Sequence, residues 1–235
     1  FSHLHLNGTG CSDTGDILFM PYIGNARTQP GTQQDPLSGY ASLYSKDNEQ
    51  ALPGYYEVLL KTHNTKVELT ASDRVAFHRY TFPKDAEKHV MINLKDANGD
   101  DRPTNTYLEQ MNDTVIRGYR HSTGWSKKQQ IYFTAVFSQP IHLALYHDSV
   151  QVAGNHLQGL DVKGNVSIVS TKEELCVKVG ISPVSMDNAM GNIQQEIKNW
   201  DFEKIVEETT KKWNTELSKL QVETNNVAAK RVFYT

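Results

Sequence analysis

His3 and His5 stand two residues apart at the head of the chain and lead into Asn7-Gly8-Thr9-Gly10 and Cys11. On a strand that spacing puts both imidazoles on one face, which suits metal ligation or a polar, sugar-facing surface. No third ligand follows at a recognisable spacing, so structural, metal-binding and substrate-contacting roles all stay open. Gly8 and Gly10 would let the backbone approach a ligand or another segment closely, because glycine lacks Cβ; an ordinary tight turn explains them equally well. The segment is no phosphate loop, and GxxxxGK[ST], GxGxxG and GxSxG occur nowhere in the 235 residues.

Carboxylates come in pairs at Asp13 and Asp16, Asp100 and Asp101, and Glu173 and Glu174. A glycosidase needs one carboxyl held protonated and another ionised at a set separation, and nearness in sequence does not supply that. The pairs are read as surface charge. "GYRHSTGW", residues 118–125, joins Arg120 and His121 to Trp125 across a Ser-Thr-Gly turn. An indole face stacks on sugar C–H groups while Arg and His donate hydrogen bonds, although Trp125 would serve as well in a core. Arg74, His78 and Arg79 lie along adjacent predicted strands, and Glu68 is placed to pair with one of them. Cys11 and Cys176 are read as buried free thiols, with a long-range disulfide as the alternative. The sequons at Asn7, Asn112 and Asn165 are short enough to arise by chance.

These groups must be positioned by strands and turns. From about residue 17 to 182, short apolar runs are cut by Gly, Pro, Asn and Asp. Residues 65–83 show the pattern best: Val67, Leu69 and Ala71 alternate with polar neighbours, then Val75, Phe77, Arg79 and Thr81 take one parity and Ala76, His78, Tyr80 and Phe82 the other. Roughly ten such runs, with residues 95–101 as a hairpin or loop, predict an antiparallel β-sandwich. After Pro183 the period changes. Ser185 or Asp187 caps a helix bearing Ile193, Ile197 and Trp200 on one face, and Asp201 caps a second bearing Ile205, Thr209, Trp213, Leu217 and Leu220. Residues 220–226 read as a short strand or linker. The chain is expected to be a piece cut at both ends, since it opens inside a dense motif and stops on the apolar run "KRVFYT".

Several segments in order resemble glycoside hydrolase family 92. "FSHLHLNGTGCSDTGDILFMP" is similar to that family's signature, and "NEQALPGYYEVLL", "VELTASDRVAFHRYTFP", "GYRHSTGWSKKQQIYFTAVFSQPI", "KVGISPVSMDNA" and "WDFEKIVEETTKKWNTELSKLQVE" follow. The resemblance implies a β-sandwich at 1–184, linker helices at 185–220, and at 221–235 the start of an (α/α)6 barrel that forms the rest of an inverting exo-α-mannosidase. It places the catalytic acid and base, and a required calcium ion, in that barrel, so no catalytic residue and no metal ligand is assigned here. Match to the signature implies His3, His5, Gly8, Thr9, Gly10 and Cys11 as pocket-forming. Asn7 stands where Ser is usual and Lys46 where His is usual, while Glu49 keeps its place. A mannose-containing glycan and the barrel are the implied partners, and a periplasmic or extracellular setting the implied location.

A net charge of −3 gives no field to gather nucleic acid or anionic lipid, and no apolar run is long enough to span a bilayer. The leading expectation is a non-catalytic lobe of an α-mannosidase, inactive alone. A stand-alone carbohydrate-binding sandwich is the alternative, and a small metal hydrolase built on His3, His5 and Asp13 or Asp16 a third.

Overall fold

The computed structural model describes residues 1–4, 16–32, 34–35, 37–97 and 101–234. Strands β1 to β14, numbered in chain order, form two antiparallel sheets. The smaller runs β1 (Leu18–Ile23), β6 (Lys88–Asn93), β13 (Val162–Ile168), β10 (Ile141–His147), β11 (Val150–Val152). The larger runs β12 (His156–Gly159), β7 (Arg102–Asn112), β8 (Val115–Thr123), β9 (Gln129–Phe137), β14 (Glu174–Ser182), β5 (Val75–Thr81), β4 (Thr65–Ala71), β3 (Tyr55–Leu60), β2 (Glu49–Leu52). The antiparallel sandwich expected from the sequence is present.

Register explains the core. Tyr56, Leu69 and His78 are cross-strand partners, as are Val58, Val67 and Tyr80. Side chains of this parity face inward and meet Phe19, Val90, Ile92 and Val166 of the smaller sheet. Each fully buried side chain of this size contributes about 1.5–3 kcal/mol. The other parity of β5, Val75 and Phe77, is also buried, because two helices cover that part of the outer face. Ile193 of α1 (Met186–Glu196), Ile197 just beyond it, and Phe202 and Ile205 of α2 (Phe202–Leu217) pack on Val75, Phe77 and Cys176.

Both helices start at the expected caps. Ser185 Oγ accepts from the Asn188 N–H at 3.0 Å and Asp201 Oδ1 from the Lys204 N–H at 3.1 Å, each cap contributing about 1 kcal/mol. Gly180 of β14 admits α1 at close range: a Cβ there would lie 2.2 Å from the Ala189 carbonyl oxygen, so any larger residue pushes the helix away. Trp200 departs from its expected place in the apolar face. It lies over the buried Lys178 ammonium, 4.1 Å from the ring centre, while that amine donates to the Ile197 carbonyl at 2.9 Å. Cation–π attraction and a carbonyl at the end of α1 replace the water this amine loses.

Trp213 and Leu220 are likewise exposed rather than buried. α2 crosses the β4–β5 tip, where Thr209 Oγ1 donates to the Ala71 carbonyl and Lys212 pairs with Asp73, and its remaining turns carry Trp213 into solvent. A third helix, α3 (Val227–Tyr234), occupies the terminal apolar run. Strands β2, β7, β11 and β12 depart from the sequence pattern. β7 hides because only Thr106 and Leu108 are buried along it and its register shifts at Pro103/Asn105 and Gln110/Asn112, which breaks the alternation that marks a strand. Cys176 is buried and free, and Cys11 lies outside the described residues. Asn165 is buried, accepting from the Tyr22 hydroxyl at 2.7 Å, so its sequon is inaccessible in the folded chain.

Candidate functional site

Strand direction brings the residues of interest to one end of the sandwich: β1 and β5 start there, and β6 and β8 end there. At that end a groove of about 960 Å³ opens between the Phe1–His3 segment, the inner face of β3 to β5, and α2. Tyr56, Leu69, His3 and His78 line one side, Thr209 and Trp213 the other.

His3 and His78 form the floor, and their partners settle their protons. The Ile17 carbonyl lies 2.6 Å from His3 Nδ1 and can only accept, so Nδ1 carries the hydrogen and Nε2 is left as an acceptor. His78 Nε2, 3.1 Å away, therefore donates to it. His78 Nδ1 then accepts from the Tyr80 hydroxyl at 2.5 Å. The result is a chain of neutral donors and acceptors from the core to the groove. Burial pushes His3 down to about 4 against the opposing pull of its bond to Ile17, and burial together with His3 pushes His78 well below its usual range. Both imidazoles are neutral at pH 7. They offer the groove no positive charge. All four ring nitrogens are engaged, so His3 has no free lone pair for a metal. Among the described residues no cluster of three or more His, Cys, Asp or Glu side chains could hold a metal ion, and no step through calcium is derived from them. Of the other members of the metal-hydrolase reading, His5 and Asp13 lie outside the described residues and Asp16 is engaged by Arg120.

Beside the groove, Arg120 is fully buried. Its Nη1 meets both Asp16 and Asp101, its Nε donates to the Leu94 carbonyl at 3.0 Å, and Gln129 donates to the second oxygen of Asp16. Asp16 and Asp101 are thus not surface charge, as their spacing suggested. They are committed to a guanidinium, and burial raises the Asp16 carboxyl against the pull of Arg120. Arg120 is correspondingly no surface donor for a sugar, and Trp125 is not core: it is 83% exposed. The parity of β8 held the missed signal. Ile116, Gly118, Arg120 and Ser122 share the buried face, and an arginine in that register must find buried partners. Glu68 pairs with Arg79 as expected, Oε1 to Nη2 at 2.8 Å.

The model of the glycosyl hydrolase family 92 N-terminal domain matches residues 1–182, and that of the family's catalytic domain matches residues 188–235. The chain belongs to glycosyl hydrolase family 92. A solved family GH92 alpha-mannosidase of Bacteroides thetaiotaomicron superposes with a TM-score of 0.94 at 33% identity, covering 100% of this chain and 33% of that one. A second GH92 family glycosyl hydrolase structure gives a TM-score of 0.87 at 25% identity, again over 100% of this chain and 33% of the other. A protein of Arthroderma benhamiae named "Uncharacterized secreted glycosidase" is 23% identical over 97% of this chain and 32% of its own length. The family 92 chain therefore spans about a third of the length of the relatives it matches.

Of the residues that the signature marks, the structure of this family 92 chain places His3 at the groove. His5, Gly8, Thr9, Gly10 and Cys11 lie outside the described residues. His78 and Tyr80 were visible in the sequence only as strand residues, and their link to His3 appears only when β5 is set beside the N-terminal segment. Glu49 accepts from the Tyr56 hydroxyl at 2.8 Å, which ties that residue to the groove wall.

Proposed function

We propose that these residues form the N-terminal, non-catalytic lobe of an α-mannosidase that removes terminal α-mannosides from glycans, and that the groove is one wall of its sugar pocket. The carrying observation is the groove itself. It opens at the sandwich end that holds the signature residue His3, and α2, which lies within the catalytic-domain match, forms its far side. A floor of neutral imidazoles, held in place by their mutual hydrogen bonds, suits an uncharged ligand. His3, His5, Gly8, Thr9, Gly10 and Cys11 are the proposed pocket-forming residues. A C-terminal (α/α)6 barrel would close the pocket, supply acid and base carboxyls and hold calcium. It would also cover Trp213, Leu220, Val227 and Phe233, each more than half exposed, apolar surface that would otherwise favour association. Membership of family 92 and the alpha-mannosidase likeness at 33% identity support this reading, and the secreted relative supports a location outside the cytosol, periplasmic or extracellular.

The test is mannose release from an α-mannoside, with calcium and with a chelator, by the full-length polypeptide and by the 235 residues alone. Release by the former and none by the latter is expected. Calcium-dependent release by the shorter chain, proven free of contaminants, would put the acid and base within it and overturn the proposal.

A further inference from the structure

Three segments converge on the Arg120 side chain. Asp16 precedes β1, the Leu94 carbonyl follows β6, Asp101 precedes β7, and Arg120 itself sits on β8, with Gln129 of β9 bracing Asp16. The backbone of Asp16 in turn carries the N-terminal segment: its carbonyl accepts from the His3 N–H at 3.0 Å, and Leu4 pairs with it in an antiparallel bridge. A rigid path therefore runs from the guanidinium through Asp16 to the histidine at the groove. The guanidinium fork engages two carboxylates and a carbonyl at once, which an ammonium point charge does not reproduce. Nη2 of Arg120 and Oδ1 of Asp101 are buried yet find no partner among the described residues.

We infer that Arg120 is a positioning residue for the pocket: by holding Asp16 against Asp101 it sets where His3 stands relative to His78 and the groove. This rests on the proposed reading of the groove as a sugar-pocket wall. Supporting groups that never touch substrate matter because displacement of a contact by about 1 Å can lower turnover about 100-fold.

Replacing Arg120 alone by Met would strand two buried carboxylates, so two gentler variants of the full-length polypeptide carry the test. Arg120→Lys keeps the charge and loses the fork. The triple variant Arg120→Met, Asp16→Asn, Asp101→Asn removes all three charges together, a change that buried ion clusters often tolerate. Folding is checked by a cooperative melt. Two readouts follow: kcat and KM on an aryl α-mannoside, and the titration of the His3 imidazole by NMR of 13C-labelled histidine, assigned with His3→Gln. The folded variants are expected to raise KM on the order of 10-fold or more with a smaller change in kcat, and to let His3 titrate nearer its ordinary range. Wild-type KM and an unmoved His3 in a folded variant overturn the inference. So does a raised KM with His3 unmoved, since the effect would then reach the sugar by another route. A wild-type full-length polypeptide that releases no mannose refutes the functional reading instead, and the His3 titration then decides the role of Arg120 by itself.

Discussion

Two polar clusters occupy the same end of this sandwich and are kept out of water by opposite means. The chain from Tyr80 through His78 and His3 to the Ile17 carbonyl matches each donor with an acceptor and carries no charge. The clamp of Asp16 and Asp101 on Arg120 keeps ionised groups buried and relies on their mutual attraction. A neutral chain avoids most of the desolvation penalty, but one added proton breaks it. A buried ion cluster bears that penalty in advance and then fails if one partner is lost. One end of one domain therefore has two separate weaknesses, acid for the first cluster and charge deletion for the second.

The largest expected effect tests the clamp. Arg120→Met should lower the unfolding free energy by about 3–5 kcal/mol, measured by urea denaturation. A loss under about 1 kcal/mol would mean that water reaches Asp16 and Asp101 and that the cluster is not held as described. Next comes acid. The folded-state value of His3, about 4, lies below its ordinary 6.5, so the unfolded chain takes up the proton first as pH falls. Its contribution is fully present above about 6.5 and is lost towards pH 4, amounting to about 3 kcal/mol at most. Urea melts at several pH values across that window should show the decline, and His3→Gln with His78→Gln should flatten it. A decline of the same size in the double variant would assign it to other groups.

Tyr80→Phe removes one donor from the neutral chain and leaves His78 Nδ1 unpaired, for an expected loss of about 1–2 kcal/mol by the same measurement. A neutral outcome would show that His78 takes another tautomer without strain. The smallest effect is Lys212→Ala, which deletes an ion pair with Asp73 whose side chains are both about two-thirds exposed. It should change stability by no more than about 0.5 kcal/mol. A larger loss would show that α2 leans on this pair for its seat on the β4–β5 tip.

Much of the fold was legible in the chain. The alternation of residues 65–83 announced strands with a buried face, though not that helices cover the other face of β5, and Ser185 and Asp201 marked the helix starts because capping is a local event. β7 was not legible, since its apolar residues are few and its bulges disturb the alternation. The candidate site was legible in part. The signature singles out His3, yet nothing near residue 3 points to His78, because the bond joins side chains 75 positions apart. Arg120 offered a clue in its inward parity on β8, but Asp16 lies 104 residues away, and periodicity reports a face, never a partner.

The sequence by itself determined the sandwich, its helical exit and membership of family 92. These follow from local periodicity, caps and motif order, all of which act within a few residues. Only the tertiary structure decided that Asp16 and Asp101 are buried on Arg120, that His3 is held neutral by His78, and that Trp125 and Trp213 face outward. Those outcomes depend on which strand ends meet at one pole of the sandwich, where desolvation and long-range pairing, rather than residue type, set charge and exposure.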